Sequence, residues 1–212
     1  MIISPQRRFA FVHIPKTGGT SFLQAYEARA AASDILVGDT PKARQRRKRQ
    51  AQLTVPGRLW KHSMLTDVGE LVPADYFVVT LVRHPWDRMV SYYHWLRAQD
   101  FDHPIVKTAQ SVSFAAFIRD KTVAASIRTH PAARYVTRGV GSLQCNVFAR
   151  LEFPNDLQPV WEYLGFKLTI PHLNKSDRNA DWRRYYNEDD IRVVAALAAE
   201  DITRFGYTAD DV

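Results

Sequence analysis

In "FVHIPKTGGTSF", residues 11–22, Lys16 stands two positions before the pair Gly18 and Gly19, and Thr20 and Ser21 follow. An ammonium, two residues small enough to let the backbone approach a ligand, and two hydroxyls are donors suited to an anion such as phosphate. The order differs from that of the common nucleoside-triphosphate loop, where the glycines come first and Gly-Lys-Ser/Thr closes the motif. A lysine ahead of the glycines would project at the far edge of the bound group, beside a leaving oxygen or the atom being transferred. A second donor set begins at Arg83, which follows the apolar run "DYFVVTLV" (Asp75 to Val82) and opens "RHPWDRMVSYYHWLRAQ". Arginine presents a planar fork matched to phosphate oxygens. Ser91 lies eight residues on, off the stripe formed by Trp86, Met89, Val90, Tyr93 and Leu96, and so is free to point elsewhere. Two such stretches suggest a ligand with phosphates at two separated points.

The elements that must position these groups are legible. "FAFVHI" (Phe9 to Ile14) reads as a strand buried on both faces, and "TSFLQAYEARAAA" after it as a helix, so Lys16 to Ser21 sit in a strand-to-helix turn. "DYFVVTLV" reads as a second buried strand, and Pro85 suits the first turn of the helix that follows. Ligands of open α/β sheets bind at strand carboxyl ends, where Arg83 stands. "GRLWKH" (Gly57 to His62) is expected to be a further strand, "SFAAFIRD" a helix capped by Ser113, and "NVFARLEF" a strand. "NDLQPVWEYLG" is expected to be a helix stopped by Gly165, and "NEDDIRVVAALAAEDITRFG" one helix from Asn187 to Gly206. Alternating strands and helices predict an α/β fold, a P-loop-like three-layer sandwich with a mostly parallel central sheet flanked by helices.

A chain of 212 residues, 46% hydrophobic and 24% charged, is read as a single domain spanning 1–212. No apolar run approaches the roughly 20 residues that span a bilayer, and no signal-peptide pattern opens the chain. These features and Met1 point to a cytoplasmic, bacterial protein. The single cysteine, Cys145, leaves no disulfide or cysteine cluster, and no His-Glu-x-x-His helix occurs, so no metal is expected. Of the net charge of +7, six positive charges lie in "KARQRRKR" (Lys42 to Arg49). That run reads as a solvated helix, a mobile loop, a nucleic-acid arm or the approach for an anionic substrate.

"PKTGGTS" followed about 60 residues later by "LVRHPWDRMVSYY" resembles the paired signature of sulfotransferases that use 3′-phosphoadenosine 5′-phosphosulfate, most of all those of the heparan and chondroitin type. The resemblance continues through "RLEF", "WEYLGF", "PHLNKS" and "YYNEDDIRVVAALAAEDITRFGY" and is weak from Asp100 to Leu143. It implies that Lys16, Thr17, Gly18, Gly19, Thr20 and Ser21 cradle the 5′-phosphosulfate and that Arg83 and Ser91 hold the 3′-phosphate. It also implies that Lys175 and Ser176 close over the nucleotide, and that 3′-phosphoadenosine 5′-phosphate is the product. The family often carries a glutamine three residues before a tyrosine; here Ala132 precedes Tyr135.

Sulfuryl transfer to a hydroxyl needs in-line placement, a base, and positive charge on the departing phosphate. Lys16 suits the last role and His62, in "LWKHSML", the base, because imidazole titrates near neutrality. His13 and His84 read as structural, His172 lies beside the closing segment, and Asp67 and Glu70 are weaker bases. The acceptor is expected to be a hydroxyl compound, a glycan or glycolipid, with no obligatory nucleic acid. Two other classes stay open: a small-molecule kinase with a variant phosphate loop, and a non-catalytic basic module that binds nucleic acid.

Overall fold

The structure, a computed structural model, describes residues 1–139, 141–171, 173 and 178–210. In chain order the elements are β1 (Ile2–Ser4), β2 (Phe9–Val12), α1 (Gly19–Glu27), β3 (Ile35–Leu36), α2 (Pro41–Gln50), α3 (Leu65–Val68) and β4 (Phe77–Val82). Helices α4 (Pro85–Arg97), α5 (Pro104–Ser111), α6 (Phe114–Phe117), α7 (Lys121–Thr129) and α8 (Ala132–Tyr135) come next. A ribbon of β5 (Thr137–Arg138) and β6 (Ser142–Leu143) precedes β7 (Val147–Arg150), α9 (Gln158–Leu164), α10 (Glu188–Leu197) and α11 (Ala199–Phe205). The described residues form two compact units, one from Met1–Val82 and Ala132–Leu173, the other from Arg83–Pro131 and Asn174–Val212.

The first unit holds a five-stranded sheet in the order β3-β1-β2-β4-β7. Strands β2, β4 and β7 are parallel, with Phe9 opposite Phe77 and Val79 opposite Val147, and only β1 runs against the others. The mostly parallel α/β sheet read from the sequence is therefore present, with β1 and β3 added at one side. Strand β2 is buried along its whole length because both faces are covered, as its unbroken apolar run requires. Phe22, Leu23 and Tyr26 on one face of α1 pack with Phe9, Phe11, Val79, Leu81 and Trp161 in this unit's core. Helix α9 stops at Gly165, whose φ of 75° is the left-handed conformation a helix end favours.

One expected strand is absent. Gly57 to His62 has no strand pairing; the one proton of the Ser63 hydroxyl is shared between the carbonyls of Arg58 (2.6 Å) and Trp60 (2.9 Å), and its oxygen accepts from the Trp60 N–H (2.8 Å). A side chain that satisfies the local backbone in this way competes with a ladder. His62 accordingly sits in a loop.

The basic run forms α2, and its spacing divides it. Lys42, Arg46 and Arg49 fall on one face and donate to the carbonyls of Glu27 (2.5 Å), Asp34 (2.6 Å) and Ala32 (2.8 Å). Arg44, Arg47 and Lys48 remain exposed. Half of the run thus holds the chain that leaves α1.

The second unit is helical. The α4 stripe of Trp86, Met89, Val90, Tyr93 and Leu96 packs with Phe114, Phe117, Trp182, Val194 and Tyr207. Asn187 caps α10 by accepting from the Asp190 N–H at 2.8 Å. The helix expected to run from Asn187 to Gly206 is two, because Ala198 (φ −108°, ψ 22°) leaves helical geometry.

Candidate active site

Beyond β2 the chain turns through His13, Ile14 and Pro15 into a loop with two left-handed residues, Lys16 (φ 67°) and Gly18 (φ 82°). Glycine enters that region freely, whereas a lysine there is strained. Thr17 is buried, and its hydroxyl donates to the Ile14 carbonyl at 2.9 Å, which ties the loop to itself. Gly18 caps α1 without a side-chain hydrogen bond, and no acidic residue lies in the first turn. The first intrahelical bonds run from Ser21 (3.0 Å) and Phe22 (3.3 Å) to the Gly18 carbonyl. The helix start therefore carries N–H groups and partial positive charge with no acidic residue of its own first turn to offset them, which suits an anion. The buried Ser21 hydroxyl accepts from the Leu173 N–H at 3.2 Å, so it fastens α1 to the chain beyond α9.

The two glycines do different jobs. Gly18 supplies the backbone angle, and Gly19 supplies space: a Cβ at Gly19 would come within 2.0 Å of His13 Cδ2 and 2.5 Å of its Nε2. The His13 ring lies directly against the first residue of α1.

His62 is tied to the same turn. Its Nδ1 lies 2.8 Å from the His13 carbonyl oxygen. A carbonyl only accepts, so Nδ1 carries the proton and Nε2 of the neutral ring holds the lone pair. Burial lowers the His62 pKa from 6.5 to about 4; Lys61 and the N-terminal amine push the same way, while the bond to His13 and the charge of Asp39 oppose them. The ring is neutral at physiological pH with its lone pair on Nε2, and the same burial makes that nitrogen a weaker proton acceptor than the near-neutral imidazole expected from the sequence. The His13 ring packs 4.5 Å from it and the Trp60 ring 5.1 Å away, nearly perpendicular. Lys61 itself is engaged by Asp39 at 2.7 Å. Neither alternative carboxylate is placed as well, since Asp67 accepts from the Met64 N–H (2.8 Å) at the start of α3 and the Glu70 side chain is 93% exposed.

In the second unit, Arg83 is bound through Nε (2.8 Å) and Nη2 (2.6 Å) to one oxygen of Asp87, and Arg178 binds the other. Two guanidiniums thus share one carboxylate at the start of α4. Ser91 is buried one turn beyond Asp87. His84 is buried and structural, its Nε2 2.9 Å from the Thr208 carbonyl and its ring among Trp86, Trp182 and Tyr207.

A sequence profile described as the sulfotransferase family matches residues 1–138, well over half of the chain. The chain belongs to the sulfotransferase family. The resemblance drawn from the paired motifs, to sulfotransferases that use 3′-phosphoadenosine 5′-phosphosulfate, is borne out at the level of the family. The mouse sulfotransferase SULT7A1, solved in complex with PAP, is similar at 16% identity and a TM-score of 0.48, over 94% of this chain and 85% of that one. No curated protein matches the chain.

Of the residues expected to act in this sulfotransferase, Lys16, Thr17, Gly18, Gly19, Thr20, Ser21 and His62 lie in the first unit, where His62 and the loop meet through His13. Arg83 and Ser91 lie in the second. Lys175, Ser176 and His172 fall outside the described residues. Ala132 and Tyr135, the departure from the family pattern, are both buried in α8. Sequence reading missed Asp87 and Arg178. Asp87 could have been found four residues after Arg83 on a helix, the spacing of an ion pair; Arg178, 91 residues from Asp87, leaves no such local signal. Among the described residues no three His, Cys, Asp or Glu side chains are grouped to hold a metal, and no helix is long and apolar enough to cross a membrane.

Proposed function

We propose that this sulfotransferase moves a sulfuryl group from 3′-phosphoadenosine 5′-phosphosulfate to a carbohydrate hydroxyl, with His62 as the base. The observation that carries the reading is the bond from His62 Nδ1 to the carbonyl of His13, which tethers a neutral imidazole to the lysine-bearing loop and leaves its Nε2 as the acceptor. The donor nucleotide supplies a sulfuryl group on a phosphate oxygen that leaves readily. Lys16 and the uncapped start of α1 take the 5′ phosphosulfate, their positive charge offsetting the charge that appears on the departing phosphate. Thr17, Gly18, Gly19, Thr20 and Ser21 shape that loop. As the acceptor oxygen bonds to sulfur and the sulfur to phosphate-oxygen bond breaks, the hydroxyl proton passes to Nε2 of His62. Arg83 and Ser91 take the 3′-phosphate, with Asp87 fixing the orientation of the arginine fork. No metal takes part in this reading, since Lys16 and the helix start supply the positive charge.

A carbohydrate acceptor is supported by Trp60, which is 38% exposed beside His62, with the Arg58 guanidinium 5.2 Å over its ring. An exposed indole offers a flat apolar surface for the face of a sugar ring, and the adjacent guanidinium suits an anionic substituent. Melting curves test the reading. At about 100 times its Kd, 3′-phosphoadenosine 5′-phosphate without magnesium adds about 2.7 kcal/mol, or roughly 5–10 °C, and Arg83→Ala removes most of the shift. Stabilisation by magnesium ATP in place of the bisphosphate would favour a kinase instead. His62→Ala is expected to keep the bisphosphate shift and lose transfer.

A further inference from the structure

We infer that His13 is a positioning residue, whose imidazole sets the separation between the start of α1 and the His62 ring; the inference rests on the reading of His62 as the base. Three observations converge on this one side chain. Its ring occupies the space that a Cβ on Gly19 would fill, with 2.0 Å between that position and Cδ2. The ring stands 4.5 Å from that of His62 at 63°, and the carbonyl of the same residue accepts from His62 Nδ1. It is only 5% exposed, yet its Nδ1 has no hydrogen-bond partner among the described residues. A buried ring without a polar anchor at that nitrogen is held by packing. The one imidazole thus touches both the first residue of α1 and the ring of His62.

Charge gives the spacing a consequence. His62 is faced by His13, Lys61 and the N-terminal amine, with the charge of Asp39 opposing. His13 is faced by His62, the N-terminal amine, Lys61 and Lys16, and burial before all of these keeps its own pKa well below 6.5. A neutral ring on that side of His62 shields it from water. A smaller side chain would open a gap, let the His62 ring rotate off the carbonyl and readmit solvent.

The test compares His13→Val, which keeps a strand-compatible backbone but removes the ring, with His13→Phe, which keeps a ring without nitrogens. His13→Val is expected to lower kcat at pH 7.5 by at least tenfold while KM for the donor stays within threefold. Its acid limb in kcat/KM should rise from near pH 4 toward 6.5, and the ¹⁵N spectrum of His62 should lose its Nδ1-protonated signature. His13→Phe is expected to keep kcat within threefold and the spectrum of the native protein. A native kcat, acid limb and spectrum in His13→Val would reduce His13 to filler; equal impairment in the two variants would show that a nitrogen, and not the ring, does the work. His62→Gln, measured alongside, separates the two readings. Native turnover in that variant would remove His62 as the base, whereas the ¹⁵N comparison still decides the placement of its ring by His13.

Discussion

Lys16 is held in a conformation that costs a non-glycine residue about 1–2 kcal/mol, and a φ of 67° within a candidate anion loop is strain retained where chemistry is expected. The alternative residue for that backbone is glycine, which would relieve the strain and forfeit the ammonium. Two substitutions separate these contributions. Lys16→Gly is expected to leave the melting temperature unchanged or raise it by about 2–4 °C, from roughly 1 kcal/mol of relieved strain, while lowering turnover at least about 100-fold, the scale of losing one charge-stabilising donor. Lys16→Ala should lose turnover equally without the gain in stability. Thermal melts paired with turnover under saturating donor read both effects, and a Lys16→Gly enzyme with native turnover would remove the lysine from the mechanism. Thr17 and Ser21 differ in what their hydroxyls spend: Thr17 donates to the Ile14 carbonyl, whereas Ser21 accepts from the Leu173 N–H and so keeps its own O–H to donate.

At the scale of elements, the strand, turn and helix from Phe9 to Glu27 was legible because every signal in it is local: an unbroken apolar run, a glycine pair, then helical spacing. The same holds for α4, where Pro85 and the stripe beginning at Trp86 fix both the start and the buried face. What was not legible depends on contacts between residues far apart in sequence or on competition by one side chain. Ser63 converts the expected Gly57 to His62 strand into a loop by capturing its carbonyls, and nothing in the apolar pattern announces that. The break at Ala198 carries neither proline nor glycine. The contact of His13 with Gly19, which explains why the second glycine is needed, appears only once the turn is folded. Helix α2 shows a run of one composition divided by geometry into two roles. Arg46→Ala is expected to lower the melting temperature by about 2–4 °C, since a charged donor to a carbonyl contributes roughly 1 kcal/mol at a partly buried site. The triple variant Arg44→Ala, Arg47→Ala, Lys48→Ala should leave stability within about 2 °C, because Arg47 meets Asp39 only at 3.9 Å and exposed pairs contribute little. If the triple variant proves as unstable as Arg46→Ala, the division of the helix into a structural and a solvent face is wrong.

For the whole molecule, buried histidines make stability depend on pH. In the unfolded chain His13 and His62 titrate near 6.5, whereas in the folded protein burial first, then neighbouring positive charge, holds His62 at about 4 and His13 well below its ordinary value. Between those values the unfolded state binds protons that the native state refuses, so unfolding becomes easier as pH falls. This contribution is complete above pH 6.5 and is lost as the medium is acidified toward pH 4, with a limiting slope of about 1.4 kcal/mol per pH unit for each histidine. Carboxylates act in a lower window: the hydrogen bond from Lys61 depresses the pKa of Asp39, and that from Arg150 depresses Asp156, so their stabilisation is lost only below about pH 3.8. The buried N-terminal amine, lowered from 8.0 to about 4 chiefly by burial, acts in the same direction from pH 8 downward, so urea midpoints measured from pH 8 to pH 4.5 should fall gently above 6.5 and more steeply below it. His62→Gln cannot take up the proton and should flatten the steeper part of that fall by about a third, His13 and the N-terminal amine accounting for the remainder. A decline as steep in His62→Gln as in the native chain would mean that His62 binds its proton equally in the folded and unfolded states, so that burial does not hold its pKa at about 4 and the ring is more open to water than its packing against His13 and Trp60 implies.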